Sequence, residues 1–295
     1  MTTTDPAQVT TDPAHCPQVT TRTLWLVLLM GYHVSTTNSV LTMSKSTLGE
    51  AEVWQSNRLV EASQTMTLNE KRLVIAAAAL HDPRKPLPPR GTVTLHADDF
   101  AGAFGIDTRG GQVYAALRDA AERLFNRRVR TITEGKRGRK ITDVRWVWMA
   151  SYNEGEGSVT LGFSPLVAPY LTMLFTEFTR FKLRQIGAIG SFYGIRLYEL
   201  MAQYRSIGKR SISLEQMREM LALDDKYPRV DSLCQRVLDP AIAEINKHTD
   251  LRVVMTAQRQ GRKVIGFNFQ ISVDAQLSLD LPQPKEEIQE EGKLT

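Results

Sequence analysis

Two stretches of the chain, Leu95 to Asp107 (LHADDFAGAFGID) and Ile212 to Asp224 (ISLEQMREMLALD), carry one pattern twice, and this limits the fold more than any other feature. Phe100, Ala103 and Phe104 in the first correspond to Met217, Met220 and Leu221 in the second. The i, i+3, i+4 spacing sets such side chains on one stripe, so each stretch predicts a short helix with one face in a core. Ser213 and Gln216 form the signature of a capping box at the start of the second helix.

The same series follows each short helix. A longer amphipathic helix covers about Gly111 to Phe125, with Val113, Leu117, Ala121 and Leu124 inward. Its counterpart covers Val230 to His248, with Val230, Leu233, Cys234, Val237, Leu238, Ala241, Ile242 and Ile245 on the stripe. Cys234 is then a small buried hydrophobe, and Pro240 is expected to bend the helix. Next come a strand, a basic glycine turn and a returning strand: RVRTIT, GKRGRK and ITDVRWVWM in the first copy, LRVVMTA, QRQGRK and VIGFNFQI in the second. Helix, turn, helix and hairpin is the winged-helix plan. The expected fold is therefore α+β, with two tandem winged-helix domains related by an internal repeat. The divisions read from the chain are a disordered leader or upstream extension at 1–50, a first domain at 51–175, a second at 176–275 and a flexible tail at 276–295, with the joint near Thr176 to Lys182.

Charge supports a polyanionic partner, locally more than globally. Lysine and arginine number 37 against 32 acidic residues, with a pI near 9.2. From Arg123 to Arg145 nine basic residues face only Glu134 and Asp143. A single basic turn is equally well a solvated loop, but two in matching context favour phosphate contacts, with glycine letting the backbone approach. The apolar run Leu24 to Met30 is far short of the ~20 residues that span a bilayer. The two cysteines, Cys16 and Cys234, make neither a disulfide framework nor a metal pair, which fits a cytoplasmic protein.

Enzymatic readings lack their residues. A nicking enzyme of the rolling-circle type needs a His-x-His metal pair, and His15, His33, His81, His96 and His248 are scattered singly. No GxxxxGK[ST] phosphate loop occurs. Asp98 with Asp99 and Asp224 with Asp225 fall at a helix start and a helix end, where capping explains them. No catalytic residue, metal site or cofactor is expected.

Three segments, Gln55 to Leu80 (QSNRLVEASQTMTLNEKRLVIAAAAL), Tyr114 to Arg128 (YAALRDAAERLFNRR) and Arg236 to Leu251 (RVLDPAIAEINKHTDL), resemble the iteron-binding initiator (Rep) proteins of theta-replicating plasmids. The likeness spans about Val53 to Ile271; the leader before Glu50 departs from it. It implies a protein that binds direct repeats at a plasmid origin, helps open an AT-rich region, and recruits host DnaA and the replicative helicase. It also implies a homodimer, in equilibrium with monomer, that represses its own gene through an inverted repeat. The first domain would carry the dimer contact and the second the principal base contacts. Carried onto this sequence, the resemblance places Arg229, Ser232, Gln235 and Arg236 in the major groove, with Lys226 and Arg210 near phosphates. Arginine and glutamine can each bond two acceptors of a base, at ~1–3 kcal/mol of discrimination. Arg109, Gln112 and Arg118 form the equivalent face of the first domain. Lys136, Arg137, Arg139, Lys140, Arg262 and Lys263 are expected on phosphates, which position without specifying.

QLSLDL, from Gln276 to Leu281, resembles the peptide with which bacterial replication proteins dock on the sliding clamp, Gln276, Leu277, Leu279 and Leu281 filling an apolar groove. A strand edge passing into a polar tail accounts for it as well. A winged-helix transcriptional regulator without origin activity is the alternative to the initiator reading, and a rolling-circle nicking enzyme the third.

Overall fold

The computed structural model describes residues 48–108, 112–135 and 138–274. The first part of the chain forms β1 (Glu52–Ser56), α1 (Asn57–Glu61), β2 (Ser63–Gln64), α2 (Leu68–Ala79), β3 (Thr92–His96), α3 (Ala97–Phe104) and α4 (Gln112–Phe125). Four strands follow: β4 (Arg128–Gly135), β5 (Gly138–Arg145), β6 (Val147–Asn153) and β7 (Ser158–Phe163). Then come β8 (Phe178–Lys182), α5 (Arg184–Gly187), α6 (Phe192–Ala202), β9 (Lys209–Ser213) and α7 (Leu214–Met220). A continuous helical stretch holds α8 (Val230–Leu233), a π-turn (Cys234–Leu238) and α9 (Asp239–His248), and the hairpin β10 (Leu251–Gln260) and β11 (Lys263–Val273) completes the order.

Two winged helices are present. In each, a strand precedes the short helix and pairs with the last strand of a hairpin, giving sheets ordered β3-β7-β6 and β9-β11-β10. Leu95 stands opposite Val159 and Ile212 opposite Phe267, all four buried. The predicted stripes hold: Phe100, Leu117 and Leu124 in the first unit and Met217, Leu233, Leu238 and Ile245 in the second are fully buried. The capping box at Ser213 and Gln216 forms, and Thr67 with Glu70 makes another at the start of α2. α2 is buried on almost every side, its second half (LVIAAAA) through apolar side chains and its first turn through Glu70 and Lys71, which are paired with Arg127 and Glu199. Pro240 is accommodated by the π-turn one turn ahead of it. Proline cannot donate, and its ring presses on the carbonyl four residues back; here the Asp239 N–H reaches the Cys234 carbonyl instead.

The structure corrects the hairpin expected as the first wing. β4 and β5 do not join the winged-helix sheet; they pair with β2, Ser63 opposite Arg130, in a separate sheet ordered β2-β4-β5. The expected single strand ITDVRWVWM breaks at Trp146, which is fully buried, and β6 begins beyond it. The true wing of the first unit is β6–β7, with the turn Glu154-Gly155-Glu156-Gly157. Burial explains the choice: Val159, Leu161 and Phe163 seal β7 into the core, whereas β5 is exposed over Gly138 to Ile141. The basic β4–β5 hairpin is an insertion between α4 and that wing.

The expected joint differs as well. Residues 176–182 contain β8, which pairs along its length with β1, Glu52 opposite Lys182 and Ser56 opposite Phe178. Passage to the second winged helix runs through α6 and the turn before β9. Around α6 lies a buried ionic network. Arg196 donates to the Val60 and Ala62 carbonyls at 2.8 and 2.9 Å, to Met220 O at 3.1 Å and to Glu199 at 2.7 Å. Lys71 reaches Glu199 at 2.8 Å and Gln64 at 3.0 Å. One guanidinium thus ties α1 to the C-terminal end of α7. Burial outweighs the Glu199 carboxylate and lowers the Lys71 ammonium to about 8.

Candidate nucleic-acid interface

The second unit presents a polar helix start beside a cationic hairpin tip. Arg229, the N-cap of α8, Gln235 and Arg236 are exposed and Ser232 is half-buried, while Leu233, Val237 and Leu238 turn inward. The residues expected to read bases therefore share one outer face at the first turns of this helical stretch, although Arg229 also lies 3.8 Å from Asp231. Lys226 is exposed in the turn that leads to them. At the wing, Arg262 and Lys263 are exposed, and so are Gln258, Arg259 and Gln260. Arg259 is a wing cation that sequence reasoning passed over, although it lies in the QRQGRK turn.

The turn between α7 and α8 is shaped by a residue that sequence reasoning missed entirely. Ala222, Asp224 and Tyr227 all have left-handed backbone, with φ of 50°, 44° and 52°. Arg218 spans this turn, donating to the Lys226 carbonyl at 2.9 Å, to Tyr227 O, and to Pro228 O at 3.2 Å. A planar fork satisfying three successive carbonyls holds the approach to α8 and so sets where Arg229 and Ser232 start. No sequence pattern marks such a role; its signal is the left-handed turn alone.

The corresponding face of the first unit has the opposite charge. Gln112 and Arg118 are exposed on α4, as expected, but Arg118 donates to Glu154 of the wing at 2.9 Å and lies over the Tyr152 ring. Asp119, Glu122, Glu154 and Glu156 line the groove between α4 and β6–β7. The wing turn sits directly on the helix: a Cβ at Gly157, whose φ is +60°, would fall 2.3 Å from the Tyr114 ring. An acidic wing tip repels a phosphate backbone.

The inserted hairpin carries a cluster of the first unit's exposed cations. Arg128, Lys140 and Arg145 are exposed there, with Arg145 donating to Phe125 O at 2.8 Å. Arg130 forks onto Asp143 through two nitrogens at 2.7 and 2.9 Å, and Arg139 donates from Nη2 alone to the two carboxylate oxygens of Glu219 of α7 at 3.0 and 3.1 Å. The Arg130 guanidinium holds the Asp143 carboxyl below its usual range. Arg210 requires a correction. It is buried, lies over the Tyr204 ring, and donates to Leu200 O, Gln203 and Glu61 at 2.8, 2.9 and 3.0 Å. Alternation along β9 turns it inward beside Ile212, so it braces the unit and faces no phosphate. Arg109, Lys136, Arg137 and the clamp-like residues Gln276, Leu277, Leu279 and Leu281 lie outside the described residues.

Among the described residues, no group of histidine, cysteine or carboxylate side chains could hold a metal ion, and no helix is long and apolar enough to cross a membrane. Comparisons with known proteins bear on the whole arrangement. A replication initiation protein of Escherichia coli is 26% identical over 239 residues, covering 79% of this chain and 73% of its own length. The PI protein of Escherichia coli is 24% identical over 255 residues, covering 76% of this chain and 84% of its own. In fold, the chain resembles the Pi initiator protein crystallised in complex with iteron DNA, with a TM-score of 0.66, 24% identity, and coverage of 77% of this chain and 99% of that one. The profile described as initiator replication protein, WH1, matches residues 52–202, and that described as initiator Rep protein, WH2, matches residues 213–271. With both winged helices matched, in order and across most of the described residues, the chain belongs to the family of plasmid replication initiator proteins.

Proposed function

We propose that this initiator recognises short direct repeats at its plasmid origin chiefly through the second winged helix. The observation that carries this is the shared outer face of Arg229, Ser232, Gln235 and Arg236, flanked by the Arg259, Arg262 and Lys263 wing. Side chains at the helix start suit base edges in the major groove, and the wing cations suit phosphates. The Pi initiator, similar in fold, was crystallised with iteron DNA, which supports the same ligand here. In this reading the first winged helix contributes the dimer contact and grips backbone through the inserted hairpin, with Lys140 and Arg128 exposed there. Its acidic α4 groove does not read bases. The action is binding and distortion of DNA in the bacterial cytoplasm, without bond chemistry. Host DnaA, the replicative helicase and the sliding clamp are proposed partners, the last through Gln276 and Leu279. Loss of clamp pull-down in Q276A/L279A is the expected result, and unchanged capture would end that part.

A footprint of the full chain on DNA flanking its own gene tests the main reading. Protection recurring at direct repeats on one face of the duplex is expected. Protection of a single inverted repeat at a promoter would indicate a regulator instead, and salt-sensitive binding without a footprint would remove the base-contact assignments.

A further inference from the structure

The inserted hairpin β4–β5 reaches out of the first winged helix and touches the second. The two meet where one guanidinium nitrogen of Arg139, Nη2, donates to both carboxylate oxygens of Glu219, on the last turn of α7. The two side chains are 45% and 30% exposed, whereas Arg196, Lys71 and Glu199, which tie the same two parts of the molecule together, are fully buried. Behind the Arg139–Glu219 pair runs an open cleft. Arg130, Thr131 and Thr133 of the hairpin line one wall, and Glu215, Gln216 and Glu219 of α7 line the other. The base of the hairpin is held by the pairs Ser63–Arg130 and Gln64–Val129 with β2, by the buried Val129 side chain and by Arg145 on Phe125 O; its outer half is exposed over Gly138 to Ile141.

These features describe an arm with a weak, solvent-open tie. An ion pair at this exposure is screened by salt and readily exchanged. A guanidinium N–H that a carboxylate oxygen accepts can be accepted equally by a phosphate oxygen. We propose that Glu219 is an internal competitor for the DNA backbone: it occupies the Arg139 Nη2 donor in the free protein, and duplex phosphate displaces it, parting the hairpin from α7. This deepens the DNA-binding reading above and rests on it. Glu219 thereby lowers affinity for duplex of any sequence at low salt, and couples engagement of the hairpin to the helix that precedes the recognition turn.

The test measures duplex binding by the full chain and three variants, E219Q, R139A and R139E/E219R, using a direct-repeat duplex and a scrambled one at low and high salt. E219Q should tighten binding to both duplexes about threefold at low salt, the gain fading at high salt. R139A should weaken both and reduce the slope of log affinity against log salt by about 0.9. The double reversal restores the pair but leaves an acid on the hairpin, so it should bind as weakly as R139A or more so. Melting temperatures matching the parent exclude misfolding as the cause of any change. Parental affinity in E219Q, or recovery of parental affinity in the double reversal, would overturn the proposal, because either means that the pair is only structural. A parent chain that bound neither duplex would remove the DNA-binding reading itself, a result distinguishable from the others.

Discussion

Replacing Arg218 with alanine probes whether the recognition helix is positioned by its preceding turn. The substitution removes the fork that serves the carbonyls of Lys226, Tyr227 and Pro228. Hydrogen bonds from a charged donor contribute ~1.5–3 kcal/mol each at best, but Arg218 is only half-buried, so water replaces much of what is removed; the net is about 2 kcal/mol. That stabilisation opposes backbone strain at Ala222, Asp224 and Tyr227, each costing roughly 1 kcal/mol in left-handed conformation. Without the fork the turn relaxes, the start of α8 samples other positions, and apparent affinity falls with the competent fraction. About 2 kcal/mol corresponds to a loss of up to roughly thirtyfold. Fluorescence anisotropy should show this loss on the direct-repeat duplex but not on a scrambled one, with an unchanged salt slope, because Arg218 meets carbonyls and no phosphate. Equal losses on both duplexes together with a shallower slope would make Arg218 a phosphate ligand and refute the positioning argument.

Other expectations separate the two winged helices. R259A/R262A/K263A should weaken binding to all sequences and reduce the salt slope by about 0.9 for each phosphate no longer neutralised, whereas E154Q/E156Q in the first wing should leave affinity equal or raised. R210M should lower the urea midpoint by the equivalent of about 2–3 kcal/mol, because Leu200 O and Gln203 lose a buried partner, while the variant that remains folded keeps the parental salt slope. For Lys71 the folded value is lowered to about 8 from 10.5, so above about pH 8 the native state releases a proton that the unfolded chain retains. Stability should therefore rise between about pH 8 and 10.5 relative to K71M, and a flat difference in urea midpoints would contradict the burial argument.

Local periodicity made the helices legible, while the hairpins needed longer-range information. Phe100 and Met217, Leu117 and Leu233 announce themselves by spacing, and each is buried where its stripe requires. A strand, glycine turn and strand occurs twice after α4, however, and the basic copy matches the second wing in composition. Only pairing with β3 decides between the copies, through Leu95 against Val159 and Val93 against Leu161. That pairing joins segments far apart in the chain and leaves no local trace beyond the apolar character of β7. The nearer hairpin, exposed at Ile141, has too little buried surface to close the core.

Charged residues were the least legible, because sequence shows the charge and not its partner. Arg210 and Lys209 stand side by side in β9, yet one is buried against Tyr204 and Glu61 and the other is exposed. The same holds for Arg196. Read alone it is one more basic residue favouring DNA, but it is sealed against four partners drawn from α1 and its C-cap Ala62, α6 and α7. Removing a partner from such a network strands a buried charge at a cost of about 3–5 kcal/mol. Net charge therefore overstates the cations available to DNA, and the useful quantity is the set left exposed by the packing. In the second unit that set includes Arg229 and Arg236 at the helix start and Arg259, Arg262 and Lys263 at the wing; in the first, the wing turn carries Glu154 and Glu156, and the inserted hairpin carries exposed Arg128, Arg139, Lys140 and Arg145. Two copies of one fold thus reach different surfaces through the placement of a hairpin, with the helical cores unchanged in plan.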